Sequence, residues 1–297
     1  MISLERLCKE IDIEFKRDEP LKNYTTLRIG GLAKFIVYPN YENILKLMEF
    51  LKDENIPFFV IGKGSNLLVS DSGYEGVVIN ITKIKGIKLD RDFIEVMAGE
   101  SLTKVVILTA KKGLSGLEGL VGIPGSVGGA IKGNAGSFGY EISGSLEEIE
   151  VITEDCEFRK FKGKELDFGY RKSGVKDGWI ITKSKFKLNE DPAEEILKKV
   201  KGFMKKRIMT QPVKERSAGC VFKNPEGFSA GALIEQVGLK GFRVGDIMVS
   251  RLHANYFINI GDGKASDFLK LLDIVRDKVF RVFNIELEPE IKFLGYK

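Results

Sequence analysis

Histidine is almost missing from this chain: His253 is the only one in 297 residues. One imidazole rules out metal centres built from several histidines, and its setting in the apolar run His253-Ala-Asn-Tyr-Phe-Ile-Asn speaks against a Ser-His-Asp triad. Cysteine is scarce too. Cys8, Cys156 and Cys220 are far apart and odd in number, which argues against a disulfide framework or a CxxC metal cluster and points to a reducing compartment. No apolar run approaches the roughly 18 residues of a membrane span. At the start of the chain Glu5, Arg6, Lys9, Glu10 and Asp12 interrupt any signal-peptide core. Charge of one sign is also lacking, because 47 basic residues are interleaved with 42 acidic ones for a net charge of +5, without the basic stripe of a nucleic-acid binder. The expectation is a soluble cytoplasmic protein with no metal, no nucleic acid and no membrane insertion, and room for a small anionic ligand.

At this length two or three compact units are expected. Residues 27–38 read as a strand pair broken at Gly30-Gly31, and Asn40 is expected to cap a helix whose Ile44, Leu45, Met48 and Leu51 recur at helical spacing. Strands at 57–61 and 67–69 flank a glycine turn, which makes a small α/β unit. From about Val77 onward short alternating runs at 77–79, 87–89, 93–96, 149–152, 158–161 and 180–181 predict antiparallel strands, interrupted by a helix over 101–112 that stops at Gly113. A helix starts at Asp191-Pro192-Ala193-Glu194 with proline in its first turn. Further helices are expected over 229–237 and 266–283, with strands over 254–260 and around 287–291. The fold class is α+β.

Five segments carry chemistry. Gly62-Lys63-Gly64-Ser65-Asn66 follows a strand and suits either a phosphate cradle or a plain hairpin turn; it matches neither a Walker A loop nor GxGxxG. Gly122-Ile123-Pro124-Gly125-Ser126-Val127-Gly128-Gly129 and Gly133-Asn134-Ala135-Gly136 form the densest glycine cluster, too apolar for a flexible surface loop and suited to close approach of a flat ring or pyrophosphate. Tyr170-Arg171 offers a two-pronged carboxylate grip or a surface ion pair. Cys220, in Ser217-Ala218-Gly219-Cys220-Val221-Phe222-Lys223-Asn224, is a nucleophile, a proton donor or a small buried residue. Glu288-Pro289-Glu290 pairs two carboxylates near the end of the chain, and Glu288 is expected to be a solvated charge.

The strings YTTLRIGG, VIGKGSNLLVSD, GIPGSVGGAIKGNAGSFG, FGYRKS, SAGCVFKNP, LHANYFIN and LEPEIKFLG, in this order over nearly the whole chain, resemble the UDP-N-acetylenolpyruvoylglucosamine reductase family. The resemblance implies an FAD-binding fold of the vanillyl-alcohol-oxidase type with two FAD-binding subdomains, 1–80 joined by 292–297 and then 81–209, plus a C-terminal α+β substrate-binding domain, 210–291. It implies an oxidoreductase acting on a CH–CH bond, with NADPH as co-substrate and a UDP-sugar as substrate, in which the enolpyruvyl group becomes a lactyl ether for peptidoglycan synthesis.

Hydride comes from reduced FAD, and Arg171 and a protonated Glu290 match the residues that stabilise the enolate. Cys220 stands where many members have a serine proton donor; a thiol is the more acidic group and therefore a plausible general acid. Gly62, Lys63, Gly64, Ser65, Asn66, Gly122, Ile123, Pro124, Gly125, Ser126, Gly128, Gly129, Gly133 and Asn134 match the cofactor segments. Tyr170, Lys223 and Asn224 match substrate contacts. No histidine lies in either flavin segment, so the FAD is expected to be non-covalent, and a monomer is expected. The chain resembles the shorter subclass, without the insertion that brings a tyrosine over the substrate. An FAD-dependent oxidase of the same fold and a non-catalytic nucleotide-binding regulator are the competing readings.

Overall fold

In the helix Ile44–Asp53 the residues Ile44, Leu47, Met48 and Leu51 are buried, so the three-and-four spacing of its apolar residues marks the face that enters the core. The same holds for Ala265–Phe283, which buries Phe268, Leu271, Leu272, Val275 and Val279. The computed structural model describes residues 2–296. They divide into two compact units: the chain up to Arg17 with Phe35–Lys63 and Gly76–Lys206, and Asp18–Lys34 with Gly64–Glu75 and everything from Arg207 onward. Each has its own hydrophobic core.

The first unit is built on a five-stranded, wholly antiparallel sheet in the order Phe158–Lys162, Leu146–Ile152, Ile180–Lys187, Phe93–Met97, Ile87–Asp90. Ile94 and Val96 alternate into the core, as a half-buried strand requires. The helix Leu102–Lys111 lays Leu102, Val105, Val106 and Ala110 into the same core and ends before Gly113, at φ 73. Phe58–Ile61 pairs in parallel with residues 77–80, so the run at 77–79, expected among the antiparallel strands, joins a parallel pair instead, while Leu67–Val69, expected in one small α/β unit with 57–61, lies in a separate sheet. The helix Ala193–Thr210 begins directly after Pro192, whose carbonyl accepts from the N–H groups of Glu195 and Ile196.

The second unit holds a four-stranded antiparallel sheet in the order Ser217–Cys220, Tyr256–Asn259, Ile247–Val249, Arg243–Val244. Phe222, Phe257 and Phe268 meet in its core, with ring centroids 6.0 and 5.1 Å apart along that series. The expected helix at 229–237 forms as Ala230–Gln236, capped by the Ser229 side chain accepting from the N–H of Ala232. The last strand, Lys292–Leu294, runs parallel to Leu67–Val69.

Two expected strands do not form. Residues 27–29 are irregular: Arg28 is left-handed at φ 59 and the Thr25 hydroxyl donates to the Ile29 carbonyl at 3.1 Å, although Leu27 and Ile29 are buried. Apolar alternation there signalled burial, not pairing. Around 287–291 the chain makes only an isolated bridge, Phe222 to Pro289, and the strand starts after Pro289. The helix Ile2–Glu10 and the strand Glu14–Pro20 were not anticipated. Among the described residues no helix is long and apolar enough to cross a membrane.

Because Phe257 is fully buried between two other rings, Phe257→Ala is expected to destabilise the protein by about 3–5 kcal/mol. Urea unfolding followed by circular dichroism checks this.

Candidate active site

Within the first unit the glycine segments come together. A Cβ on Gly62 would lie 2.2 Å from the Ser126 hydroxyl, so only glycine permits this approach. The Lys63 ammonium donates to the Ser101 hydroxyl at 2.9 Å, and Ser101 forms a β-bridge with Ser126. Ser126 also accepts from the Gly129 N–H at 3.3 Å, and the Leu102 N–H donates to the Gly125 carbonyl at 3.3 Å. Gly122, Ile123 and Gly125 are half-buried and Pro124 exposed, whereas Ser126 and Gly128 are buried. The surface offers a cation, hydroxyls and unshielded backbone, a donor set that fits the diphosphate and ring edges of FAD.

The second half of this cluster supports the arginine. Asn134 is fully buried; its amide donates to the Gly169 carbonyl at 2.9 Å and to the Glu141 carboxylate at 3.1 Å. Gly169 and Lys172 close a tight turn through reciprocal backbone bonds of 3.0 Å, which places Arg171 at its tip with φ 55. The Arg171 guanidinium donates to the Gly136 carbonyl at 3.1 Å and lies 5.0 Å from the centre of the exposed Tyr170 ring. Gly133 sits beside this turn, where the Ser173 hydroxyl donates to the Lys132 carbonyl at 2.8 Å. Thus Gly62, Lys63, residues 122–129, Gly133, Asn134, Tyr170 and Arg171 all belong to one unit.

Gly64, Ser65 and Asn66 fall in the second unit. There the Thr26 N–H donates to the Gly64 carbonyl at 3.1 Å, and Asn66 donates its amide to the Glu290 carbonyl at 3.2 Å while its own carbonyl accepts from the Lys292 N–H at 3.1 Å. The Glu290 N–H in turn donates to the Val221 carbonyl at 2.8 Å, so the carboxylate-bearing residue is tied one position away from Cys220. Cys220 ends its strand after a bulge at Gly219, φ 81, and stands directly opposite Tyr256. Lys223 binds the Glu288 carboxylate at 2.5 Å, and its N–H donates to the Glu288 carbonyl at 2.9 Å; Glu288, expected to be a solvated charge, is exposed but paired. The Asn224 side chain accepts from the Ala230 N–H at 3.0 Å, at the start of a helix.

Three residues that sequence reasoning missed surround the thiol. The Tyr256 hydroxyl donates to the Gln211 side-chain oxygen at 3.0 Å, and the Arg207 guanidinium donates to the same oxygen at 2.6 Å. Arg207 is only 5% exposed and Tyr256 9%. Burial pushes the Tyr256 phenol far above its ordinary value, and the neighbouring Cys220 side chain, hydrogen-bonded to it, and Glu290 push it further. The run containing Tyr256 was visible in the sequence, but its pairing with Cys220 depends on strand register alone. His253 packs its ring 4.9 Å from Tyr256 and its Nδ1 accepts from the Asn255 N–H at 3.3 Å; burial lowers its pKa, so it is a neutral packing residue. Of the other cysteines, Cys8 lies in the first core, where burial and Glu5 raise its thiol to about 11.

The comparisons with known proteins define the class, a flavin-dependent oxidoreductase. The fold is that of the vanillyl-alcohol-oxidase type: residues 33–162 match a family described as "FAD binding domain". Likeness to alkyldihydroxyacetonephosphate synthase, at TM-score 0.50, 16% identity and coverage of 64% of this chain and 41% of that one, extends to the fold alone. Residues 211–294 match the C-terminal domain of UDP-N-acetylenolpyruvoylglucosamine reductase. The reductase of that name from Caldicellulosiruptor bescii is 41% identical over 298 aligned residues, covering 99% of this chain and 95% of that protein. The crystal structure of the Thermus caldophilus enzyme superposes with TM-score 0.81 at 41% identity, covering 95% of this chain and 99% of that one. This chain belongs to the UDP-N-acetylenolpyruvoylglucosamine reductase family.

Gly62→Val forces a side chain into the Ser126 hydroxyl, at a cost of about 1–3 kcal/mol. The variant is expected to purify folded but with FAD bound roughly 10-fold or more weakly, read from the ratio of flavin to protein absorbance.

Proposed function

We propose that this chain reduces the enolpyruvyl group of UDP-N-acetylglucosamine enolpyruvate to the lactyl ether of UDP-N-acetylmuramate, with NADPH as the electron source, acting as a cytoplasmic monomer in peptidoglycan synthesis. The observation that carries this reading is the bond from the Glu290 N–H to the Val221 carbonyl, which ties the backbone of Glu290 one residue from Cys220. Membership of the reductase family supports it. Residues 62–66, 122–129, Gly133 and Asn134 would hold FAD non-covalently, and the chemistry it would supply there is hydride for the vinyl methylene carbon.

What the chain's own residues must do follows from where charge appears. Hydride addition leaves negative charge on the carbon next to the carboxylate and on its oxygens. Arg171 faces that charge as a permanent cation, fixed by Gly136 and Tyr170, so little reorganisation is needed when the charge develops. Glu290 in its acid form donates a hydrogen bond to the same oxygens. Cys220 then gives its proton to the carbon: the S–H bond breaks, a C–H bond forms, and the sulfur keeps the electron pair until solvent reprotonates it. Tyr170, Lys223 and Asn224 bind the UDP-sugar; the lysine exchanges its Glu288 contact for a phosphate oxygen. The division into two FAD-binding subdomains, 1–80 with 292–297 and 81–209, and a substrate domain, 210–291, belongs to the same reading. The parallel pairing of Lys292–Leu294 with Leu67–Val69 supports its first boundary.

The purified protein is expected to be yellow, to bleach anaerobically with NADPH, and to regain its colour on addition of the enolpyruvyl substrate. A protein that cannot be loaded with FAD overturns the proposal, and rapid reoxidation by air without substrate favours an oxidase. Cys220→Ala is expected to leave flavin bleaching nearly intact and to slow reoxidation by substrate about 10²–10⁴-fold, the usual contribution of a general acid. Cys220→Ser is expected to recover much of that loss. Stopped-flow absorbance at the flavin band reads both half-reactions.

A further inference from the structure

Beside Cys220 lies a buried polar chain with a fixed direction. Arginine can only donate, so the Gln211 atom that faces Arg207 at 2.6 Å is its carbonyl oxygen, and the Tyr256 hydroxyl 3.0 Å from that same atom must donate to it. A phenol has one proton. That proton rests on Gln211, and the β-pairing sets Cys220 directly across from Tyr256, on the same face of the sheet. Two groups act on the sulfur from elements packed around it in this unit, Tyr256 across the sheet and Arg207 from the helix Ala193–Thr210, and Glu290, from the segment tied to Val221, acts on Tyr256. None of them is needed to make a cysteine protonated. They matter once it has lost its proton, because a hydrogen bond to a charged acceptor is stronger than one to a neutral one.

We propose that Tyr256, anchored by Gln211 and Arg207, is a positioning residue for Cys220: it turns its O–H from Gln211 to the sulfur when the thiol proton leaves for carbon. The turn is a rotation about one C–O bond and moves no other atom. A hydrogen bond to a charged sulfur is worth more than the weak one an S–H donates, so the phenol stabilises the thiolate over the thiol and makes Cys220 a stronger acid. Arg207 stays on Gln211 throughout and adds its positive charge to the same side of the balance, while an ionised Glu290 opposes it. Electrons and protons balance as in the reaction above, since Tyr256 ends with its own proton.

This inference rests on Cys220 being the proton donor, and its test separates the two. The holoenzyme and Tyr256→Phe, which keeps the ring packed against His253, are treated with iodoacetamide across a range of pH. Alkylation of Cys220 is followed by peptide mass spectrometry, apart from Cys8 and Cys156. The midpoint for Cys220 is expected to rise by about one unit in Tyr256→Phe, which is roughly a tenfold loss of thiolate below the midpoint. Incorporating 3-fluorotyrosine at position 256, a stronger donor, is expected to lower it. In stopped flow, Tyr256→Phe is expected to slow reoxidation by substrate about tenfold relative to flavin bleaching. Unchanged midpoints in both variants overturn the role of Tyr256 even if the wild-type enzyme turns over the enolpyruvyl substrate. Shifted midpoints uphold it even if that substrate is not the one used.

Discussion

The hydrogen bonds at Val221 organise the reacting end of the second unit. Its N–H donates to the Asn255 carbonyl at 2.8 Å and its carbonyl accepts from the Glu290 N–H at 2.8 Å, so three stretches far apart in sequence converge on one peptide. Asn255 closes the arrangement from its side chain, accepting from the Phe222 N–H at 2.9 Å and donating to the Phe222 carbonyl at 2.8 Å. Buried backbone groups must be paired, and here the pairing also decides which functional groups become neighbours. Val221 and Phe222, which follow Cys220 at the end of its strand, are both buried, and the Phe222 ring meets Phe257 edge-on.

The first unit solves a similar problem with a single buried amide. Asn134, itself left-handed at φ 41, joins the glycine cluster to the turn that carries Arg171. An asparagine can take that backbone conformation at small cost and still use its side chain as a clamp. Arg171 is left-handed too, at φ 55, which a bulky residue adopts only when its surroundings impose it. Here the reciprocal Gly169 and Lys172 bonds and the Gly136 contact do so. The guanidinium is thus preorganised.

The three cysteines illustrate how environment sorts one functional group into different roles. Cys8 is wholly buried among apolar side chains and its thiol is pushed to about 11, which leaves it inert. Cys156 occupies a turn, left-handed at φ 60, where burial raises its pKa. Cys220 alone has a phenol, a guanidinium and a carboxyl group as neighbours in its unit. A thiol in that company is equipped to release a proton and carry the charge briefly.

Much of this was readable in the sequence. Helical spacing fixed the faces of Ile44–Asp53 and Ala265–Phe283 because burial of apolar side chains follows a local period that any reader can count. Glycine density marked a close approach of segments, since the missing Cβ lets Gly62 meet Ser126, and the order of the motifs marked the family. The sequence misled where alternation meant burial without pairing, at Leu27 and Ile29, and where a proline displaced the last strand to Lys292–Leu294. What it could not contain was register. That Tyr256 faces Cys220, that Glu290 is tied to Val221, and that Gly62 touches Ser126 all depend on segments from 36 to 69 residues apart or more meeting at a particular offset. A slip of one residue between the strands of Cys220 and Tyr256 would turn the facing side chain to the opposite side of the sheet. Residue type and local period determined which chemistry the chain carries, and long-range pairing decided which of those groups act on one another.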